Sequence, residues 1–453
     1  MTTSVAAATI KAKDRDAILQ SLRAGVVPRA GLQHVQVGRV DEVTAILRDI
    51  ERVAEGGSAF RFVIGEYGSG KTFFLSLVRS IALERKLVTA HADLSPDRRL
   101  HATGGQARGL YAELMRNLAT RTKPDGGALP SVVERFVSSA MTEGRTRSVS
   151  PEIVLRERLD KLQEMVGGYD FSEVIAAYWR GHDGGNEVLK SDAIRWLRGE
   201  FTTKTEARQA LGVRTIVDDA SVYDQLKLLA QFVRLAGYDG FLVELDEMVN
   251  LYKLASTRAR SSNYEQILRM LNDSLQAGAA GLGFVLGGTP EFLLDTRRGL
   301  YSYQALQSRL AQNTFATGDR RDLSGPVIQL ATLSPEDLYV LLGKLRHVYA
   351  GGDVTRHMLP DEGLKAFMAH CSKRVGDAYF RTPRSSIRAF LDLLAVLEQN
   401  KGVSWNDLLS HLEVGPDLNP ELGPLEEDAD DGSVTSDQQK GSPADDELAS
   451  FKL

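Results

Sequence analysis

Apolar positions along this chain follow two alternating periods. FRFVIG (60–65), LVTAHADL (87–94), FLVELDE (241–247) and LGFVLGG (282–288) are short apolar runs of strand type, and PVIQLATL (326–333) is another. Between them, apolar residues recur at helical spacing. Thr72–Lys86 carries Phe73, Leu75, Leu77, Val78 and Ile81, and Tyr223–Leu235 carries Leu226, Leu228, Leu229, Phe232 and Val233. Strand and helix in alternation predict an α/β fold, a parallel sheet covered by helices on both faces. Residues 128–222 hold few strand signals and read as a helical insertion. Beyond Leu333 the pattern becomes wholly helical. SPEDLYVLLGKLRHVY opens on the N-cap signal Ser334-Pro335-Glu336, and PRSSIRAFLDLLAVLEQN is a second amphipath, which together predict a small all-α domain.

These periods divide the chain into an N-terminal segment (1–30), an α/β core (31–332), a helical domain (333–416) and a tail (417–453). The tail carries Pro420, Pro424, Pro443 and the run EEDADDG, with too little apolar surface to offset the entropy of ordering, so it is expected to be disordered. It also changes how the charge is read. The whole chain is −5, but 417–453 alone holds 11 acidic and 2 basic residues. The remainder, with 53 basic and 49 acidic residues, is +4 and leaves a nucleic-acid partner open. A total of 453 residues, 43% of them hydrophobic, gives ample length for a real core, and the single cysteine, Cys371, rules out a disulfide scaffold and suits a reducing compartment. No apolar run is long enough to span a membrane and the first residues lack a signal-peptide pattern, so a cytoplasmic protein is expected.

The strongest chemical signal is Gly65-Glu66-Tyr67-Gly68-Ser69-Gly70-Lys71-Thr72, which matches G-x-x-x-x-G-K-[ST] between a predicted strand and a predicted helix. Backbone N–H groups and a helix N-terminus would there converge on a β-phosphate. Lys71 would bridge β- and γ-phosphates, and the Thr72 hydroxyl would ligate Mg²⁺. A metal-nucleotide site also needs an acid at the end of a neighbouring strand. GFLVELDE supplies Asp246 for the metal and Glu247 as general base for the attacking water, with Glu244 turned towards a helix. The helical insertion accounts for the long separation of Lys71 and Asp246. Thr289, after LGFVLGG, either reaches the γ-phosphate or caps the helix that begins PEFLL. Arg309 lies in LQSRL; Arg384 follows Pro383 at a predicted helix start, where its guanidinium could face a phosphate. Histidines without ligand spacing and a lone cysteine speak against a metal hydrolase, and a loop ending in Lys-Thr speaks against a dinucleotide-binding dehydrogenase.

The order of these features resembles the AAA+ ATPases, and among them the branch of origin-recognition and Cdc6-type initiators. That resemblance implies that the segment Val37-Gly38-Arg39, in VPRAGLQHVQVGRVDEVTAIL, lines an adenine pocket, that Thr289 is a sensor, that Arg309 is an arginine finger acting on a neighbouring subunit's nucleotide, and that Arg384 is the second sensor arginine in a C-terminal lid. Many such ATPases carry an asparagine at the end of the second strand that restrains the catalytic glutamate; LVTAHADL offers His91 or Asp93 instead. Segments including SAFRFVIGEYGSGKTFFLSLVR, ADLSPDRRLH, LGVRTIVDDASVYDQLKLLAQFVRLAGYDGFLVELDE and TPRSSIRAFLDLLAVLEQN resemble more closely the ATP-binding proteins, of C and D type, of phage-exclusion (BREX) systems. This resemblance covers roughly 20–410. It implies ATP and Mg²⁺ as cofactors, a homo-oligomer, and work with a helicase, methyltransferase or other defence component, with DNA as a further possible partner. The expected function is ATP hydrolysis that drives or gates an anti-phage complex. The alternative is a nucleotide-dependent switch or loader with little turnover, to which the basic clusters at Arg258 and Arg260, Arg297 and Arg298, and Arg320 and Arg321 would contribute a phosphate track.

Overall fold

The computed structural model describes residues 10–316, 320–375 and 383–410. The predicted tail lies outside the described residues, as do residues 1–9 and Thr382. Five strands, β1 (Ala59–Gly65), β2 (Leu87–Asp93), β3 (Gly240–Asp246), β4 (Leu282–Gly288) and β5 (Val327–Leu330), form one sheet in the order β2-β3-β4-β1-β5. Every pairing is parallel. The three central strands are buried at all seven positions, whereas the edge strands open to solvent, β2 at His91 and Asp93 near its carboxyl end and β5 at Val327 and Gln329. That explains why FRFVIG and FLVELD read as continuous apolar runs rather than as alternations.

Period two sorts the strand residues between two cores. One face sends Phe60, Phe62, Val88, Ala90, Phe241, Val243 and Phe284 into a large core shared with the insertion. The insertion is five helices, Leu129–Arg147, Pro151–Gln163, Gly168–Asp183, Glu187–Leu197 and Lys204–Leu211. Fully buried Phe136, Phe171 and Phe232 stack edge to face within 5.4 Å and weld it to the helix Val222–Leu235, each ring contributing roughly 2–3 kcal/mol of burial. The opposite face packs Ala59, Val63, Leu87, Leu242 and Val285 against two helices, here α2 (Val40–Ala54) and α3 (Lys71–Glu84).

The single charge inside β1, Arg61, is buried, and it keeps its place because Asp49 of α2 accepts from its Nε at 2.5 Å and from its Nη2 at 3.2 Å. Its Nη1 donates to Leu323 O at 3.0 Å and to Gly325 O, fixing the turn that leads into β5.

After β5 the chain forms a third core from α15 (Pro335–Tyr349), α16 (Asp361–Val375), α17 (Pro383–Gln399) and α18 (Trp405–Ser410). The helix α15 starts where the sequence pattern predicts, with a reciprocal capping box between Ser334 and Asp337. The N-terminal helix α1 (Ala12–Arg23) packs into this same core through Ile18 and Leu19, with Ile10 beside them, and Arg23 Nη2 donates to Leu391 O at 3.1 Å. Residues 10–23 are therefore part of the helical unit that the chain completes more than 300 residues later. Among the described residues, no helix is long and apolar enough to cross a membrane.

Candidate functional site

The loop Gly65–Thr72 joins the carboxyl end of β1 to α3. Its glycines have distinct reasons. At Gly65 an added Cβ would lie 2.3 Å from Ser69 Oγ and 3.2 Å from Leu330 O, so only hydrogen fits; Gly68 and Gly70 sit at φ 80° and 86°, the left-handed region that glycine enters without cost. The loop closes through Ser69 N–H donating to Glu66 O at 3.1 Å. No side chain caps α3, so its first-turn N–H groups stay available to an anion. Lys71 Nζ arches back over the loop and donates to Gly65 O at 2.9 Å and Glu66 O at 3.2 Å. Glu66 is exposed, and Tyr67 and Gly68 are half-buried.

Thr72 Oγ1 donates to Asp246 Oδ2 at 2.8 Å across 174 residues of sequence. This single bond joins the loop to the acidic strand, because β3 ends level with the start of α3. The other carboxylate oxygen, Oδ1, accepts from the Glu247 N–H at 2.9 Å. Asp246 has this room because the residue beside it on β4 is Gly287, where a Cβ would stand 2.4 Å from Oδ1. A Gly287→Ala protein is expected to lose about 1–3 kcal/mol of stability, which thermal melts would read. A hydroxyl and a carboxylate held side by side form the oxygen-only donor pair that Mg²⁺ takes when phosphates and water complete its shell. Among the described residues, no cluster of three or more His, Cys, Asp or Glu could hold a metal without such help.

Glu247 follows at φ 58°, a left-handed conformation that costs a non-glycine residue roughly 1–2 kcal/mol. Strain of this kind at the first residue past a strand marks a side chain whose direction matters.

Behind this front, side chains of β2 and β3 on the α3 face stand in register, His91 opposite Glu244 and Asp93 opposite Asp246. Burial pushes the Glu244 carboxyl up to about 8, against the pull of the Arg79 guanidinium, and Oε1 has no hydrogen-bond partner. Burial, then the charges of Arg79 and Arg29, lowers His91 to about 4. Glu244 is thus a neutral acid facing α3, as the sequence suggested. Burial and the neighbouring Asp246 charge raise Asp93.

Thr289 is buried, and its Oγ1 accepts from Phe292 N–H at 3.4 Å, the N-cap alternative, at the carboxyl end of β4. Arg384, on the first turn of α17, brings the helical unit to the loop: its Nη1 donates to Tyr67 Oη at 3.3 Å and its guanidinium carbon lies 5.9 Å from the Tyr67 ring centroid. Gly25, at φ 73°, lets the guanidinium stem pass, a Cβ there standing 3.2 Å from Arg384 Cδ. Val37 packs against the helical core, as do Leu333 and Phe73, the residue that follows the loop. Gly38, at φ 62°, approaches Asp337 of α15. Arg309 stands apart. It is exposed on the helix Gln304–Leu310, its Nε donating to Asn272 Oδ1 at 2.8 Å and its Nη1 to Ala305 O at 2.8 Å.

Two of the basic clusters are only half available. Arg260 is buried and donates to Leu254 O, Ala255 O and Thr257 Oγ1, and Arg298 is buried over the Tyr252 ring with Nη2 donating to Leu254 O at 3.1 Å. Both arginines fasten the turn after Tyr252, a role invisible in their spacing. Arg39, which the sequence groups with Val37 and Gly38, turns to the glycine-rich loop, its Nη2 donating to Ser69 O at 3.1 Å. Its bond to the loop backbone is what the sequence does not show.

No curated protein matches this chain. The model of one protein family does, over residues 10–413, a span that takes in the loop, the acidic strand, the insertion and the helical unit. With that match, this chain belongs to the BREX system ATP-binding protein BrxC/D family.

Proposed function

We propose that this protein is an AAA+ ATPase that hydrolyses ATP, with Mg²⁺, to drive or gate a multi-component anti-phage complex. The observation that carries the reading is the Thr72–Asp246 hydrogen bond, which places a hydroxyl and a carboxylate at the mouth of a glycine-rich loop, next to a strained glutamate. The strand order, with β4 between β1 and β3, puts the loop and the acidic strand on either side of Thr289, as a three-part phosphate site needs.

In this reading the loop N–H groups and Lys71 hold the phosphates, and Thr72 and Asp246 would hold Mg²⁺, which would supply neutralisation of phosphate charge. Glu247 orients the attacking water and accepts its proton. Thr289 adds a polar group at the γ-phosphate end, Val37 and Gly38 border the base, and Arg384 closes a lid over the loop. Arg309, bound to none of these elements, reaches the nucleotide of a neighbouring copy, which makes the working unit an oligomer. The inward turn of Arg260 and Arg298 weakens the case for a DNA track and favours a protein component of the defence system as partner.

Lys71→Ala tests the reading. The lysine's bonds to phosphate are charge-assisted, so its removal is expected to weaken ATP binding about 10- to 100-fold by calorimetry while leaving the melting temperature without nucleotide nearly unchanged. Unchanged ATP affinity would refute the site. Binding that is lost as expected in Lys71→Ala, beside a wild type that binds ATP and turns over none in any assembly, would favour the nucleotide-dependent switch.

A further inference from the structure

The chain passes between the α/β core and the helical unit twice near the loop. Residues 24–39 run from α1, in the helical core, to α2 on the sheet; residues 331–334 run from β5 to α15. Arg39 lies where both passages meet. It is the N-cap residue of α2, at φ 64°, and is mostly buried. Its Nη2 donates both to Ser69 O of the glycine-rich loop, at 3.1 Å, and to Ala331 O at the end of β5. Its Nη1 stands 3.8 Å from Oε1 of the buried Glu42.

We propose that Arg39 is a positioning residue that ties the Gly65–Thr72 loop to both passages, so that ordering of the loop by a nucleoside triphosphate is transmitted to the helical unit. Because one nitrogen serves the loop carbonyl and the β5 carbonyl together, a shift of Ser69 alters the hold on Ala331. Arginine suits this position because its rigid fork reaches several acceptors from one stem, whereas a lysine offers a single point charge. Burial lowers its pKa, and Glu42 and then Asp337 counter that effect. The first passage is fastened to α15 on its own account. A Cβ on Gly38 would lie 3.4 Å from Asp337 Oδ1, Asp337 Oδ2 accepts from Ser334 N–H at 3.2 Å, and Lys344 Nζ donates to Gln36 O. Whatever moves Arg39 therefore moves the start of α15. A non-glycine residue at φ 64° persists only where its surroundings hold it, and two carbonyl acceptors and the Glu42 charge do so here.

The nucleotide arm of this proposal rests on the proposed function; the structural arm does not. The deciding experiment is hydrogen–deuterium exchange on the full chain, wild type against Arg39→Ala and Arg39→Lys, first without nucleotide and then with Mg²⁺ and a non-hydrolysable ATP analogue. Without nucleotide, Arg39→Ala is expected to exchange about tenfold faster at both 66–70 and 331–334, with β1, β3 and β4 unchanged and Arg39→Lys intermediate. With the analogue, the wild type gains protection in both segments and Arg39→Ala only in the loop. Loosening of one segment alone, or of neither, overturns the clamp. Wild-type-like protection of 331–334 in Arg39→Ala overturns the transmission. If Arg39→Ala does not fold, wild-type exchange in Arg39→Lys at both segments overturns the proposal. A wild type that gains no protection anywhere from the analogue sinks the nucleotide reading and the transmission with it, while exchange without nucleotide still decides the clamp.

Discussion

Replacing Glu247 by Gln is expected to cut ATP turnover about 10²- to 10⁴-fold, the usual worth of a general base, with ATP affinity within a few-fold of wild type. Gln keeps the volume and the hydrogen-bonding head of Glu, so the backbone at φ 58° and the Asp246 contact to its N–H have no reason to change. Only the proton acceptor goes. Steady-state phosphate release together with nucleotide titration separates the two effects, and turnover at the wild-type rate in Glu247→Gln would end the general-base assignment. The two other carboxylates of β3 are poorly placed to take over. Glu244 is buried, with its pKa raised by that burial, and Asp246 is engaged by Thr72 Oγ1 and by the Glu247 N–H.

Arg309→Ala is expected to reduce turnover by about 10³-fold or more, the range in which an arginine supplied to a phosphoryl-transfer site acts, without weakening ATP binding to the same chain. The guanidinium is already oriented. Asn272 and the Ala305 carbonyl fix its stem end on an exposed helix, so less rotamer freedom is lost when a neighbouring copy docks. Its own chain's loop makes no contact with it among these bonds, which is why its effect is expected in trans. A random equal mixture of Arg309→Ala and Lys71→Ala subunits, each inactive alone, would then regain up to about a quarter of wild-type activity, since about one interface in four pairs an intact loop with an intact arginine. No recovery at any ratio, in mixed assemblies shown to form, would remove the trans role.

How far these residues are legible in the sequence depends on the range of the interactions that place them. Gly65–Thr72 is legible because a glycine-rich strand-to-helix turn is mostly local: Gly68 and Gly70 answer to their φ angles and Gly65 to Ser69, four residues on, with Leu330 O as its one distant neighbour. Asp246 and Glu247 are legible because a strand buried on both faces carries a continuous apolar run, and its end is visible where the acids begin. The capping box of α15 is half legible; Ser334 stands out in the sequence, and its reciprocal partner proves to be Asp337. The Arg258–Arg260 cluster misleads for a physical reason. Charge spacing counts guanidinium groups and says nothing about which of them turn inward to satisfy backbone carbonyls, as Arg260 does.

The sequence by itself determined the two periods, the glycine-rich loop between strand and helix, the acidic strand end and the family, since each is written in neighbouring residues whose backbone geometry admits few alternatives. Only the tertiary structure decided that α1 completes the core of the C-terminal helices, that Arg384 stands over Tyr67, that Gly287 clears space for Asp246, and that Arg39 holds Ser69 and Ala331 at once. These pairings join residues up to 368 positions apart. Their partners are chosen by how the three cores pack and by the need of buried polar groups for hydrogen bonds, and no local pattern carries that information.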